Sequence, residues 1–245
     1  MNNTEQAILF RDLPWDTAFF GFKVASLTCA EEPNEESLRP IVERCREEGY
    51  RLLYLHLPGE SHPPLITHSG AEFRLMDIKY NFGCDLQKID IESHTDKVYL
   101  YKGEAEPLLG LAFQAGEHSR YRLDTHFAPG EFERFYRTWV ENSLNGSIAD
   151  YLFTVGEPHA PRGFVTLKIR EQEASVGLIA IDSSCRGEGL GRRLMLRSLE
   201  QAARVGCHRL TVATQKENTG ACAFYRRLGM SPIEISSIYH CWLNE

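Results

Sequence analysis

Six consecutive residues, Arg186-Gly187-Glu188-Gly189-Leu190-Gly191, are the part of this 245-residue chain best suited to chemistry. Glycine adopts left-handed backbone at little cost and lets a ligand approach bare main-chain N–H groups. The stretch before it, Val176 to Ile181, is apolar and reads as a buried strand. The stretch after it has helical spacing. Leu190, Leu194, Met195, Leu199, Ala202 and Ala203 share one face, and Arg192, Arg193, Arg197, Gln201 and Arg204 the other. A strand, a glycine turn and a helix start form an anion site. The first helical N–H groups lack internal partners, and the helix dipole adds roughly half a positive charge there. A diphosphate suits such a place, with Arg186 and Arg192 flanking it. Taken alone, the glycines fit an ordinary turn before an amphipathic helix equally well.

The spacing separates this loop from two other phosphate loops. A dinucleotide fingerprint needs Gly-x-Gly-x-x-Gly, and here the glycines alternate. The P-loop ending Gly-Lys-Ser/Thr is absent. A second stretch, Gln215 to Met230, offers two polar groups. Asn218 is a good helix N-cap, and that can be its whole role. Tyr225 lies seven residues on, two helical turns, on the same side. A phenol with a pKa of about 10 stays protonated at neutral pH and can donate a proton, or its ring can simply pack in the core. Arg120, Tyr121 and Arg122 lie in a polar and aromatic loop, Gly116 to Pro129, either solvated or placed for an anionic, stackable ligand. Glu171, Glu173, His118 and His126 are candidates for a general base by residue type alone.

These groups need elements to position them. Residues 1–95 read as a small α/β unit. It holds strands near Val24–Thr28, Arg51–Leu57 and Phe73–Leu86, a helix from Glu35 to Gly49, and a short helix after Pro63-Pro64 ending at Gly70. Residues 96–245 read as a second domain. It begins with a strand at Lys97–Tyr101, a helix at Glu106–Gln114 and a long amphipathic helix at Glu131–Leu144. Strands follow at Ala149–Gly156, Gly163–Arg170 and Ser175–Ile181, then the glycine loop and its helix. A strand at Arg209–Ala213, a helix at Asn218–Leu228 and a final strand at Ile233–Leu243 complete it. The order strand, helix, glycine, strand over 50–86 echoes that over 209–243, so the first domain is expected to be a reduced copy of the second.

Hydrophobic residues are 42% and charged residues 25%, ordinary for a globular protein. The net charge of -7 argues against a broad nucleic-acid surface. Seven scattered cysteines with no Cys-x-x-Cys pair read as reduced thiols, not a metal site. No signal peptide and no membrane span are expected, so the location is read as cytoplasmic.

Arg186-x-x-Gly189-x-Gly191 between a strand and a helix resembles the coenzyme A loop of the GCN5-related N-acetyltransferases. Asn218, Phe224-Tyr225 and Leu228-Gly229 resemble that family's second motif. The resemblance implies a GNAT fold in the α/β class, with a mixed, mostly antiparallel central sheet, here preceded by a smaller α/β domain. It implies acetyl-CoA as co-substrate, with no metal. Main-chain atoms of Leu178, Ile179, Ala180 and Ile181 would meet the pantetheine arm. Residues Arg186, Gly187, Glu188, Gly189, Leu190, Gly191 and Arg192 would hold the diphosphate, with Asn218 nearby. Tyr225 would protonate the departing sulfur. Leu13 to Gly21, Phe135 to Asn142 and Val212 to Thr219 look like the TDP-fucosamine acetyltransferases of surface-polysaccharide synthesis. That likeness implies a sugar-nucleotide acceptor, with Arg120, Tyr121 and Arg122 on the acceptor side. It leaves room for another amine acceptor, for a non-catalytic acyl-CoA-binding module, and for a homodimer.

Overall fold

The computed structural model describes residues 8–60, 63, 65–68, 70–87 and 97–243. In chain order the strands are β1 (Leu9–Asp12), β2 (Lys23–Thr28), β3 (Tyr50–Pro58), β4 (Leu65–His68), β5 (Ala71–Asp85), β6 (Val98–Leu100), β7 (Tyr151–Glu157), β8 (Ala160–Arg170), β9 (Glu173–Ile181), β10 (Arg209–Gln215) and β11 (Ser231–Trp242). The helices are α1 (Pro14–Phe20), α2 (Glu35–Glu47), α3 (Glu106–Ala115), α4 (Arg120–Leu123), α5 (Glu131–Leu144), α6 (Leu190–Arg204) and α7 (Thr219–Arg227).

The chain forms two compact units. One comprises Met1–Tyr80 with Glu234–Glu245, the other Asn81–Ile233. The expected boundary at 95/96 lies outside the described residues. The division instead falls within β5 and within β11. The reason is hydrogen bonding: Ser236 to Trp242 of β11 pair antiparallel with Pro58 to Leu52 of β3, which assigns the chain's end to the first unit.

In the first unit, β2 and β3 are parallel and joined by α2, while β1 pairs antiparallel with β2. Asn34 caps α2 through Oδ1, which accepts from the Ser37 N–H at 2.9 Å. Leu38, Val42 and Cys45 of that helix are fully buried against Leu53, Leu55 and Tyr239. The segment after Pro63 is a strand, β4, antiparallel to β5, not the expected helix. Leu65-Ile-Thr-His68 alternates around a buried Ile66, and cross-strand pairing to Arg74–Ala71 outweighs the weak helical pattern. The proposed echo of 209–243 therefore fails in its order of elements.

In the second unit, β6, β7, β8 and β9 pair antiparallel in sequence, and β9 pairs parallel with β10. The parallel pair is bridged by α6. Leu194, Met195, Leu199 and Ala202 of α6 are buried, the predicted apolar face. Helix α5 has the bounds read from the sequence, with Phe132, Phe135, Tyr136 and Val140 inward. No helix of the described residues is long and apolar enough to cross a membrane.

Candidate active site

The pairing of β9 with β10 runs only from Glu173↔Arg209 to Val176↔Val212. Both strands continue, β9 to Ile181 and β10 to Gln215, without further pairing in that register. The cause lies on the other side of β9. Val165 pairs with Ile179 but Leu167 pairs with Val176, so Thr166 alone faces both Gly177 and Leu178. This is a β-bulge, which bends a strand and increases its twist. The Leu178 N–H, displaced from the ladder, donates to the buried Thr166 Oγ1 at 2.8 Å. A Cβ on Gly177 would lie 2.9 Å from that oxygen and 3.6 Å from Trp139 Nε1. Gly177 is thus the residue the bulge requires. Beyond it Leu178 and Ala180 are buried, whereas Ile179 and Ile181 are half-exposed. Thr166→Val keeps the shape but strands the Leu178 N–H. We expect a loss of stability of about 1–3 kcal/mol, read by urea denaturation.

From Ile181 the chain enters the loop. Asp182 accepts from Ser184 N–H at 2.8 Å and Ser184 Oγ at 2.6 Å, closing a 3-10 turn at Ser183–Cys185. Those hydrogen bonds hold the Asp182 carboxyl below the usual range. The Ser183 N–H donates to Gln114 Oε1 of α3 at 3.0 Å. Gly187 (φ 86°) and Gly189 (φ 78°) are left-handed, and Gly189 is the N-cap of α6. The N–H groups from Gly187 to Arg192 donate no hydrogen bond among the described residues. Six consecutive N–H groups at a helix start, with Arg186 and Arg192 exposed beside them, form a nest for an anion. Leu190 is buried and anchors the helix start. Glu188 is ion-paired with Arg162 of β8, its Oε1 2.8 Å from Nη2.

Helix α7 meets the loop through Phe224. A Cβ on Gly191 would lie 3.3 Å from the Phe224 ring, so glycine there lets the two helices approach. Asn218 caps α7, its Oδ1 accepting from the Ala221 N–H at 3.1 Å. One lone pair of that oxygen is thereby used, and the amide nitrogen keeps its donors for a ligand. Tyr225 is 3% exposed, with its ring 5.5 Å from that of Phe82 and 5.3 Å from that of Phe224. Its hydroxyl makes no hydrogen bond among the described residues. Burial pushes its pKa above the ordinary value, so it stays protonated across the physiological range.

The expected acceptor residues are only partly open. Arg120 to Arg122 lie in α4, a short helix within the expected loop. Tyr121 stacks on Phe135 with centroids 4.1 Å apart, and its hydroxyl accepts from Arg120 Nη2 at 2.8 Å. Its ring is therefore packing rather than offering a free face. Arg122 is exposed, and with Tyr121 and Asp124 it lines an open cavity of about 340 Å³ before α5. The sequence missed Trp139, which carries the same aromatic row from Phe135 to the bulge at Gly177. Its only signal was a place on the inward face of α5.

Among the base candidates, Glu171 and Glu173 sit at the start of β9, in the turn from β8. Glu173 is eight residues from Ile181, roughly 26 Å at about 3.3 Å per residue, which removes both from the loop. His126 is oriented by Asp124, Nδ1 to Oδ1 2.7 Å. Three of the thiols are poor nucleophiles: burial pushes Cys29, Cys45 and Cys84 up to about 11. No cluster of His, Cys, Asp or Glu among the described residues is arranged to hold a metal.

Comparison with known proteins gives the same class as the geometry. Residues 116–230 match the profile of the acetyltransferase (GNAT) family, and that span includes the bulge, the loop and Tyr225. This chain carries a GNAT acetyltransferase domain. The chain is 26% identical over 219 residues, 89% of its length and 91% of the relative's, to a dTDP-fucosamine acetyltransferase of Escherichia coli O6:H1. A GCN5-related N-acetyltransferase from Sphaerobacter thermophilus has a TM-score of 0.59 at 12% identity, covering 98% of this chain and 78% of that one. A conserved protein of unknown function from Staphylococcus epidermidis has a TM-score of 0.64 at 12% identity, covering 100% and 93%. The GNAT fold and the acyltransferase class expected from the two motifs are thus found. GNAT acetyltransferases draw their acetyl group from acetyl-CoA, and the six-amide nest suits that cofactor's diphosphate.

Proposed function

We propose that this GNAT enzyme moves the acetyl group of acetyl-CoA to the amine of a nucleotide-linked amino sugar, dTDP-4-amino-4,6-dideoxygalactose, in surface-polysaccharide synthesis. The observation that carries the acceptor is the extent of likeness to the dTDP-fucosamine acetyltransferase. It runs through 91% of that relative, so it includes the first unit as well as the GNAT domain. A relative with a different name, N-alpha-acetyltransferase 30 of Saccharomyces cerevisiae, matches only 37% of this chain.

The residues divide the work as follows. The N–H groups from Gly187 to Arg192 hold the diphosphate, with Arg186 and Arg192 adding charge-assisted bonds. Main-chain groups from Leu178 to Ile181, unpaired with β10 past the bulge, hold the pantetheine arm, and an N–H beyond Leu178, whose own is bound to Thr166, donates to the thioester oxygen as negative charge develops there. Acetyl-CoA supplies an activated acyl group on a thiol leaving group. Asn218 uses its amide donors near that arm. As the amine nitrogen bonds the acyl carbon and the C–S bond breaks, Tyr225 gives its phenolic proton to the departing sulfur, and the proton lost by the nitrogen passes to water, from which the phenol is reprotonated. Holding amine and thioester together supplies much of the acceleration. On the acceptor side, Arg122 at the mouth of the cavity before α5 meets the nucleotide diphosphate, with Arg120 and Tyr121 shaping its wall.

The test is thiol release from acetyl-CoA with dTDP-4-amino-4,6-dideoxygalactose, its UDP counterpart and an N-terminal peptide as acceptors. Turnover is expected with the dTDP sugar above the others, and Arg122→Ala should raise its KM about tenfold. Turnover confined to the peptide would discard the sugar reading while keeping the acetyltransferase.

A further inference from the structure

Glu188 is out of place in an anion nest. It sits between Gly187 and Gly189, the two left-handed residues of the loop, with its carboxylate where negative charge opposes a diphosphate. Arg162, on β8, reaches it from outside the loop. Its Nη2 donates to Glu188 Oε1 and Oε2, each at 2.8 Å. Its Nε donates to Cys185 Sγ at 3.0 Å. One guanidinium therefore ties the start of the loop, at the buried Cys185, to its middle. It does so from a strand whose next residues, Gly163 to Val165, pair antiparallel with Ile181 to Ile179. No other side chain from outside the loop holds residues 186–189 among the described residues. The two glycines are otherwise conformationally permissive.

We propose that Arg162 is a positioning residue for the diphosphate loop, acting through Glu188. The ion pair sets the turn between Gly187 and Gly189 so that the six N–H groups converge. It also neutralises a carboxylate that would repel the ligand. Arg162 does not itself touch the diphosphate. The inference rests on the reading of this loop as the diphosphate site.

The two roles of Arg162, latch or direct ligand, separate in a double-mutant cycle with coenzyme A alone as the probe. Titration calorimetry on the full chain compares wild type, Arg162→Ala, Glu188→Ala and the double variant. Removing Arg162 leaves a bare carboxylate in the nest, and coenzyme A should bind about tenfold more weakly. Glu188→Ala removes the repulsion together with the latch and should change affinity by less than about threefold. Adding Glu188→Ala to Arg162→Ala should restore affinity to the Glu188→Ala value. A double variant as weak as Arg162→Ala would make Arg162 a direct phosphate ligand and overturn the proposal. In Arg162→Ala, kcat at saturating acetyl-CoA should hold within about twofold, which a general loss of structure would not allow. A second reading does not need the ligand. The backbone amide shifts of Gly187 and Gly189 should move together in both single variants, and unmoved shifts would also overturn the latch. If the wild type binds no coenzyme A, the diphosphate reading of the loop fails by itself, and the amide shifts alone decide whether Arg162 shapes the turn.

Discussion

Tyr225→Phe should lower turnover by about a hundredfold while leaving acetyl-CoA affinity within about twofold. The size follows from general acid help, typically ~10²–10⁴ in rate. The selectivity follows from the structure. The Tyr225 ring is sealed between Phe82 and Phe224, so phenylalanine fills the same space. The hydroxyl bonds to no described residue, so its removal breaks nothing in the fold. Tyr239, by contrast, donates its hydroxyl to the Pro63 carbonyl at 2.8 Å. Tyr225 has not spent its own. Steady-state thiol release, coenzyme titration and a thermal melt together check the expectation. A melting temperature unchanged within about a degree, with turnover also unchanged, would remove Tyr225 from the reaction. The raised pKa adds a sign. Burial favours the protonated phenol, so activity should not fall through Tyr225 ionisation below pH 10.

Much of this site was legible because glycine and helix-capping rules act locally. Gly187 and Gly189 had to be left-handed for the turn to close, and Asn218 had to cap the helix it precedes. Those needs are written in residue type. The long helix Glu131–Leu144 was legible for a similar reason, since five aromatic or aliphatic residues at helical spacing admit one burial. What was not legible depends on pairing between distant segments. The bulge needs Thr166 opposite Gly177, eleven residues away across a hairpin, and an apolar run such as Val176–Ile181 reads the same with or without it. Arg162 and Glu188 are 26 residues apart, and neither is unusual alone. The strand at Leu65–His68 exists because β5 supplies its partner. The end of β11 belongs to the first unit because β3 does the same. Tyr121 looked like a stacking platform for a base, but Phe135 from the next helix occupies its face. In each case the local pattern allowed two outcomes and a long-range contact chose between them.

The second large effect is expected at the glycines themselves. Gly187→Ala/Gly189→Ala should weaken acetyl-CoA by about 30-fold or more. Each left-handed alanine costs roughly 1–2 kcal/mol, and every 1.4 kcal/mol is about tenfold in affinity. Neither added Cβ meets any atom within 4 Å, so the penalty is conformational and not a clash. The free loop escapes it by relaxing to an ordinary turn. Binding then has to restore the strained shape, and the two penalties appear in the dissociation constant. Gly206 supplies the control. It is left-handed too, with φ 86° and open space around its Cβ position, but it follows the far end of α6. Gly206→Ala carries the same kind of strain with no ligand to report it. It should lower the melting temperature by a few degrees and leave acetyl-CoA affinity unchanged. If both variants lose only stability, the turn at 187–189 is a structural stop before α6, and the row of unbonded N–H groups is not where the diphosphate lies.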